Sequence, residues 1–529
     1  MPFATSHTVA LTGAVGHLID VQADVSSGQV ATVLVGRPDA ALNEAKDRCR
    51  MAIINSQFEW PSSRRTTILL SPADLPKRGT HYDLAVALAV LGATGVVRRE
   101  SLEGVVFIGE LTLAGGLRSV PGVLPMAMAA AQRGVGHLVV PEPQVREAAM
   151  VPGLEVLGMR SLAQVVAELR DEPVPDGPPV AAMSGTRLLS WRGDQRMEAV
   201  DLADLAGMED TRYAVEVAAT GGHHLLLSGP KGSGKTSIAE RIPGLLPDLT
   251  QSESLELTAI HSLAGALEPG DGLMTRPPFT APHHDASTAS LVGGGSGTVR
   301  PGEISRAHCG VLFLDEFPLF RADVINALRQ PLESGDLTVA RGEESVVLPA
   351  RALVVLAANP CPCGDFHPDV RLSRCQCREV QRRDYRRKVT GPITDRIDIT
   401  RHLAAPTPTA QRDRFAVKES SAEVRARVEQ ARARQADRYV DEHWRLNGHV
   451  PGPALTAQWP MTADATRLVD DQLWEGQLTR RGVSRVHRLA WTVADLAGVD
   501  RPGVDEAEVA LRLRTGRPLL AATVRRAAG

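Results

Sequence analysis

A chain of 529 residues is too long to fold round one core and calls for about three domains. Its 43% hydrophobic and 23% charged content is that of ordinary globular protein. With 59 basic against 62 acidic side chains the net charge is −3, and aromatics are only 4%; a global basic field and a base-stacking platform are both excluded as the main means of holding nucleic acid. Six cysteines in so large a chain point to a reducing compartment rather than a disulfide framework. The opening MPFATSHTVALTG has no charged n-region and no long apolar core, so no leader is expected. The longest uncharged apolar stretch, 84–97, is too short for a bilayer and reads as a buried helix. A cytoplasmic protein with no membrane partner is the expectation.

Residues 1–170 alternate strand and helix patterns. Strands are expected at 16–25, 30–35, 66–70, 105–113 and 138–140, and helices at 39–55, 82–91, 124–133 and 161–170. The runs VGRPDAALNEAKDRCRMAIINS (35–56), SPADLPKRGTHYDLAVALAVL (71–91) and GELTLAGGLRSVPGVLPMA (109–127) resemble the Lon-protease-like domain that opens magnesium-chelatase-like proteins of the ComM/YifB type. Proteolytic members of that fold use a serine activated by a lysine of lowered pKa. Overlaying the motifs puts Gly79 in the serine's place and Pro125 in the lysine's, and neither can do the chemistry. Ser71 and Lys77, close by, read as a surface-loop pair. The resemblance implies a domain that supports structure or binds a partner, and excludes an ATP-dependent protease.

Residues 171–195 form a linker, Pro- and Gly-rich over DEPVPDGPPVAAMSGT. An amphipathic helix over 196–220 leads into HHLLLSGPKGSGKT (223–236). That is a buried strand, then Gly229, Pro230, Lys231, Gly232, Ser233, Gly234, Lys235 and Thr236, then a helical pattern over 237–242: G-x-x-x-x-G-K-[ST] in its required setting. The glycines let successive N–H groups point at phosphate oxygens beside a helix N-terminus. Lys235 reaches the β- and γ-phosphates of ATP, and the Thr236 hydroxyl is a Mg²⁺ ligand. A second apolar strand, 311–314, ends in Asp315 and Glu316; two carboxylates there are costly unless used. In an ATPase Asp315 orders Mg²⁺ and Glu316 polarises the attacking water. A third strand, 352–358, ends at Asn359, whose amide can hold that water, the "sensor 1" role of AAA+ proteins.

GPITDRID (391–398) resembles the G-P-L-L-D-R-I-D signature of the ComM/YifB type, which implies that Arg396 is an arginine finger given to a neighbouring subunit; pairing with Asp398 is the plainer reading. FTAPHHDASTASLVGGGSGTVRPGE (279–303) and DLTVARGEESVVLPA (336–350) resemble the helix-2 insert and pre-sensor-1 hairpin of chelatases and replicative helicases, with Arg341, Gly342 and Glu343 at the hairpin tip facing a ring's pore. His283 and His284 are read as loop-anchoring, since adjacent side chains point apart. Cys361, Cys363, Cys375 and Cys377 fit either a tetrahedral Zn²⁺ site or reduced loop cysteines. Around them, 371–388 carries seven Arg and one Lys against Glu379 and Asp384, enough to draw phosphate backbone, though a solvated helix face explains it almost as well. Beyond 404 the pattern is helical, at 421–439, 463–478, 483–496 and 506–514. There Ser484-Arg485-Val486-His487-Arg488 resembles the family's lid segment, which implies that Arg485 is "sensor 2"; an ordinary helix charge is the alternative.

The expected architecture is therefore α/β: a Lon-like domain (1–170), the linker, a P-loop AAA+ core (196–403) and a helical lid (404–529). The resemblance implies a homo-hexameric ATP- and Mg²⁺-dependent helicase acting on single-stranded or branched DNA with recombination proteins, promoting branch migration as incoming DNA is integrated during natural transformation. A chelatase-like ATPase that remodels a protein partner is the alternative. Pigment synthesis is disfavoured, because no D-x-S-x-S motif is present.

Overall fold

The chain begins with a long β-hairpin, β1 (Phe3–Thr12) and β2 (Val15–Ser26), joined by the two-residue loop Gly13-Ala14. Gly13 has φ +61, a left-handed conformation open to glycine and costly for most residues. The computed structural model describes residues 3–181, 200–205, 207–267, 271–294, 299–341, 344–366, 373–389, 391, 393–404 and 419–520. Five further strands complete a seven-stranded mixed sheet: β3 (Ala31–Val35), β4 (Arg65–Ser71), β5 (Val105–Phe107), β6 (His137–Pro141) and β7 (Glu155–Met159), in the order β3-β4-β2-β1-β5-β6-β7. Helices α1 (Ala45–Asn55), α2 (Asp83–Ala93), α3 (Val123–Gln132) and α4 (Leu162–Leu169) belong to this body. Every residue of α2 is buried. Its one charge, Asp83, is held by two hydrogen bonds from Arg48 of α1 at 2.8 and 3.0 Å and one from Leu111 N. Burial still lifts the Asp83 carboxyl to about 6.

The structure amends several expectations here. The run 105–113 is not one strand: it breaks after Phe107, and Glu110–Leu111 pairs separately with Leu117–Arg118. A Cβ at Gly109 would sit 2.8 Å from Leu117 Cδ2, so the chain passes close under that side chain at the bend. The helix over 39–55 splits, Asp39 capping a single turn before α1 starts. Strands β1 and β7 carry no strand expectation from sequence. Lys77 is not a surface lysine: it is fully buried, donating from Nζ to the carbonyl of Pro72, and burial lowers its pKa.

The second body is built on a parallel five-stranded sheet. Its strands are β8 (Leu225–Ser228), β9 (Phe279–Thr280), β10 (Val311–Leu314), β13 (Leu353–Ala358) and β14 (Ile399–His402), in the order β9-β10-β13-β8-β14. Alternate residues face two cores. Leu225, Leu227, Phe313 and Val355 join a cluster with α5 (Glu209–Gly221) and the C-terminal helices α9 (Ser421–Arg438), α10 (Ala463–Trp474), α11 (Arg480–Ala497) and α12 (Val504–Thr515). Leu226, Leu312, Val354 and Leu356 face the other way, onto Leu337, Val339, Val346 and Leu348 of the antiparallel hairpin β11 (Asp336–Arg341) and β12 (Glu344–Pro349). The expected strand-turn-strand is therefore present; its tip residues Gly342 and Glu343 lie outside the described residues. Helix α5 is not a half-exposed lead-in, because Thr211–Gly221 is buried throughout, with Glu216 paired to Arg427 at 2.7 Å.

Among the described residues the two bodies touch at the following contacts. Glu147 accepts from Leu124 N of α3 at 3.0 Å and from Ser262 Oγ at 2.5 Å, the latter on α7 (Gln251–Leu263), which the sequence reading passes over. At another contact the Gly13 turn meets β12: a Cβ on Gly13 would lie 2.3 Å from Val346 Cγ1. Among the described residues no helix is long and apolar enough to cross a membrane.

Candidate nucleotide site and the elements around it

The strand order explains the site. In a parallel sheet, ligands are taken at the carboxyl ends of the strands, and here β8, β13 and β10 end side by side in the Gly229–Thr236 loop, Asn359 and Asp315-Glu316. The loop leads into α6 (Lys235–Ala239), with Gly232 and Gly234 at φ +72 and +86. A Cβ at Gly229 would strike the Leu403 carbonyl at 2.6 Å, so that position also requires glycine. Lys231 is exposed, Pro230 and Gly232 border the open side, and Ser233 is buried. Lys235 is 7% exposed and donates to the carbonyls of Gly229 and Pro230, both at 2.8 Å. Burial pulls its pKa down, against the opposing pull of Asp315 and Glu316.

Thr236 Oγ1 lies 3.3 Å from Asp315 Oδ2, so a hydroxyl and a carboxylate converge as an oxygen pair suited to Mg²⁺. Glu316, at φ +49, receives the Asn359 side-chain amide on Oε1 at 2.7 Å, and its own N–H is held by Asp315 Oδ1. Asn359 N in turn donates to the Tyr385 hydroxyl at 3.2 Å. The structure thus gathers Lys235, Thr236, Asp315, Glu316 and Asn359 at one edge.

The two candidate arginines are elsewhere. Asp398 precedes β14, whose Ile399 pairs with Leu225, so residues 394–398 lie at the end of the sheet opposite the Gly229 loop. Arg396 does not pair with Asp398; its Nη2 meets Glu333 at 2.8 Å. Asp398 belongs to Arg485, an almost fully buried ion pair that holds the Asp398 carboxyl well below its usual range in spite of burial. Arg485 is therefore not brought to its own chain's phosphate loop. Arg481, one turn earlier on α11, sits 3.9 Å from the Glu333 that Arg396 binds, and is 58% exposed.

Sequence profiles for the magnesium chelatase subunit ChlI match residues 201–411 and 21–144, and one for the ChlI C-terminal region matches 418–514. An uncharacterised protein of Mycobacterium tuberculosis is 44% identical over 97% of this chain and 99% of its own. YifB of Escherichia coli is 37% identical over 94% of each chain, and the competence protein ComM of Haemophilus influenzae 34% identical over 94% of each. The chain belongs to the magnesium-chelatase-like AAA+ ATPases of the YifB/ComM family.

In this YifB/ComM-family chain the cysteines lie next to the nucleotide site, beginning two residues past Asn359. Cys361 Sγ is 3.3 Å from Cys363 and 3.6 Å from Cys375, and Cys363 to Cys375 is 3.7 Å. With Cys377, all four sulfurs fall within 4.8 Å of one another. Tetrahedral Zn–S bonds of about 2.3 Å place sulfurs roughly 3.8 Å apart, so the four fit a zinc ion. Gly364, inside this knuckle, packs under Lys231 of the phosphate loop: a Cβ there would be 2.7 Å from Lys231 Cε. His283 and His284 do not diverge as expected; their rings lie 4.2 Å apart, tilted by 34°, beside Asp285, with His284 half-buried. Sequence reading missed Tyr385, Arg481 and Glu333. A lone aromatic amid a run of charges was the available sign for Tyr385; Glu333 carries no local sign at all.

Proposed function

We propose that this chain is a ring-forming, DNA-stimulated ATP motor that moves DNA strands, as in branch migration when incoming DNA is recombined. The observation that carries the motor reading is the separation of Arg396 from its own phosphate loop by the length of the sheet. An arginine so placed serves an ATP held by a neighbouring copy, which favours a closed ring, a hexamer on this family's pattern. Arg481, the more exposed of the two, shares Glu333 with Arg396 and belongs to the same cluster; Arg485 is better read as the ion-pair partner of Asp398 than as a sensor. In the reaction Lys235 meets the β- and γ-phosphates and Glu316 takes the proton of the attacking water; Asn359, once its amide is free of Glu316, orients that water. Thr236 and Asp315 would hold Mg²⁺, which would supply positive charge against that of the phosphates. The chain divides on this reading at 170, 195 and 403, and the first segment acts as a support or partner-binding module.

DNA as the substrate rests on the β11–β12 hairpin and on the likeness to ComM, a competence protein. Arg341 closes β11, and six copies of one arginine in a ring make a strong local field although each chain is acidic. Arg341→Ala is expected to bring the ratio of DNA-stimulated to basal ATPase close to one and to weaken DNA binding, with a smaller salt slope than the wild type. Absence of DNA binding by wild-type rings at low salt would replace this reading with remodelling of a protein partner.

The four cysteines are proposed to hold one Zn²⁺ per chain. Elemental analysis of protein purified without chelator checks the stoichiometry, and metal well below one equivalent would leave them as reduced thiols.

A further inference from the structure

Helix α8 (Glu379–Val389) carries Arg382, Arg383, Arg386, Arg387 and Lys388 against Glu379 and Asp384. Its only buried residue is Tyr385, 5% exposed. So polar a helix, anchored by Tyr385 and the half-buried Val389, is held by few apolar contacts, and its polar ones are specific. The Tyr385 hydroxyl accepts from Asn359 N at 3.2 Å, and Lys388 Nζ donates to the Pro318 carbonyl at 2.9 Å. Asn359 is the residue whose amide holds Glu316, and Pro318 lies in the turn directly after Glu316. The helix therefore grips both strand ends that carry the hydrolytic pair. On its outer side Arg382 and Arg386 each place a guanidinium carbon 5.0 Å from the centre of the Phe366 ring, while Arg383 and Arg387 are exposed.

We propose that α8 is a nucleic-acid-reading lever: its exposed arginines take the phosphate backbone of single-stranded DNA, and Tyr385, a positioning residue, passes that event to Glu316 through Asn359. This rests on the DNA-motor reading and assigns its regulation. Charge complementarity selects the occupant, because closely spaced cations beside an aromatic ring suit a phosphate chain with unstacked bases. In the arrangement seen, the Asn359 amide occupies a Glu316 oxygen needed for the water. Pulling α8 outward draws Tyr385 from Asn359 N and loosens the amide's hold, so backbone binding raises turnover without touching the phosphate loop.

The test measures steady-state ATPase of the full-length protein over a titration of oligothymidylate. Tyr385→Phe keeps the ring and removes the hydroxyl. Its basal kcat is expected to rise roughly fivefold, the equivalent of one neutral hydrogen bond, with KM for ATP unchanged and little further stimulation by the oligonucleotide. Arg383→Glu with Arg387→Glu, both at the surface, is expected to bring stimulation down several-fold and to weaken oligothymidylate binding. Tyr385→Phe stimulated by the wild-type factor, or with lower basal kcat and an intact ratio, overturns the proposal. So does unaltered stimulation in the double arginine variant. Wild-type protein that neither binds nor responds to oligothymidylate overturns the DNA-motor reading itself, a result distinct from the other two.

Discussion

Glu316→Gln is expected to bind ATP and hydrolyse it about 10²–10⁴-fold more slowly than the wild type, the span attributed to a positioned general base. The substitution is isosteric and keeps a partner for Asn359, whose amide lies 2.7 Å from Glu316 Oε1. It removes only the negative charge that accepts the water's proton. Lys235→Ala behaves differently. Its ammonium is nearly buried beside the carbonyls of Gly229 and Pro230, and without it the triphosphate loses its main cationic partner. Binding of a fluorescent ATP analogue should be lost in Lys235→Ala and preserved in Glu316→Gln, while phosphate release is lost in both. Near-normal release by Glu316→Gln would remove the residue from the role given to it.

Arg396→Ala should leave nucleotide binding close to normal and lower turnover by about 10³–10⁵, the range for a finger acting on developing charge. Removing the arginine breaks an ion pair between a 12% exposed guanidinium and a 47% exposed carboxylate, so a thermal melt of the variant accompanies the kinetics and separates lost catalysis from lost folding. Mixing Arg396→Ala with Lys235→Ala protein separates the two halves of an interface. A neighbour lacking Lys235 still supplies Arg396 to an intact phosphate loop, so rings shown to be mixed should regain part of the lost turnover. Rings that are mixed yet inert would show that Arg396 does not act across subunits.

How much of this was legible in the sequence depended on whether a residue's chemistry is local. The phosphate loop, the Asp315-Glu316 strand end and Asn359 each follow a continuous apolar run, and the parallel sheet sets those ends side by side. Arg485 misled because its motif says which helix it is on, but not which end of the sheet that helix faces; the pairing with Asp398 spans 87 positions. Strand β1 was invisible because its inward residues include Ser6 and Thr8, buried completely, with Ser6 satisfied by the Ala85 carbonyl of α2. Such polar small residues break an alternation read from hydrophobicity alone. Lys77 misled in the opposite direction: a long cationic side chain is ordinarily exposed, yet this one folds inward from a largely exposed loop and is tied to the Pro72 carbonyl. Tyr385 needed the fold itself, since its partner Asn359 is 26 residues away on another element.

The touch between the Gly13 turn and Val346 has a mechanical consequence. A hairpin that swings during an ATP cycle does so against whatever stands behind β12, and here that is a tight turn joining ten- and twelve-residue strands anchored in a seven-stranded sheet. Gly13 has no side chain to yield, so displacement of β12 in its direction brings backbone against a Val346 methyl group. On the ring-motor reading the first body would be a backstop, limiting the hairpin's stroke on one side; without it a short, stiff swing would become a wide, slack one.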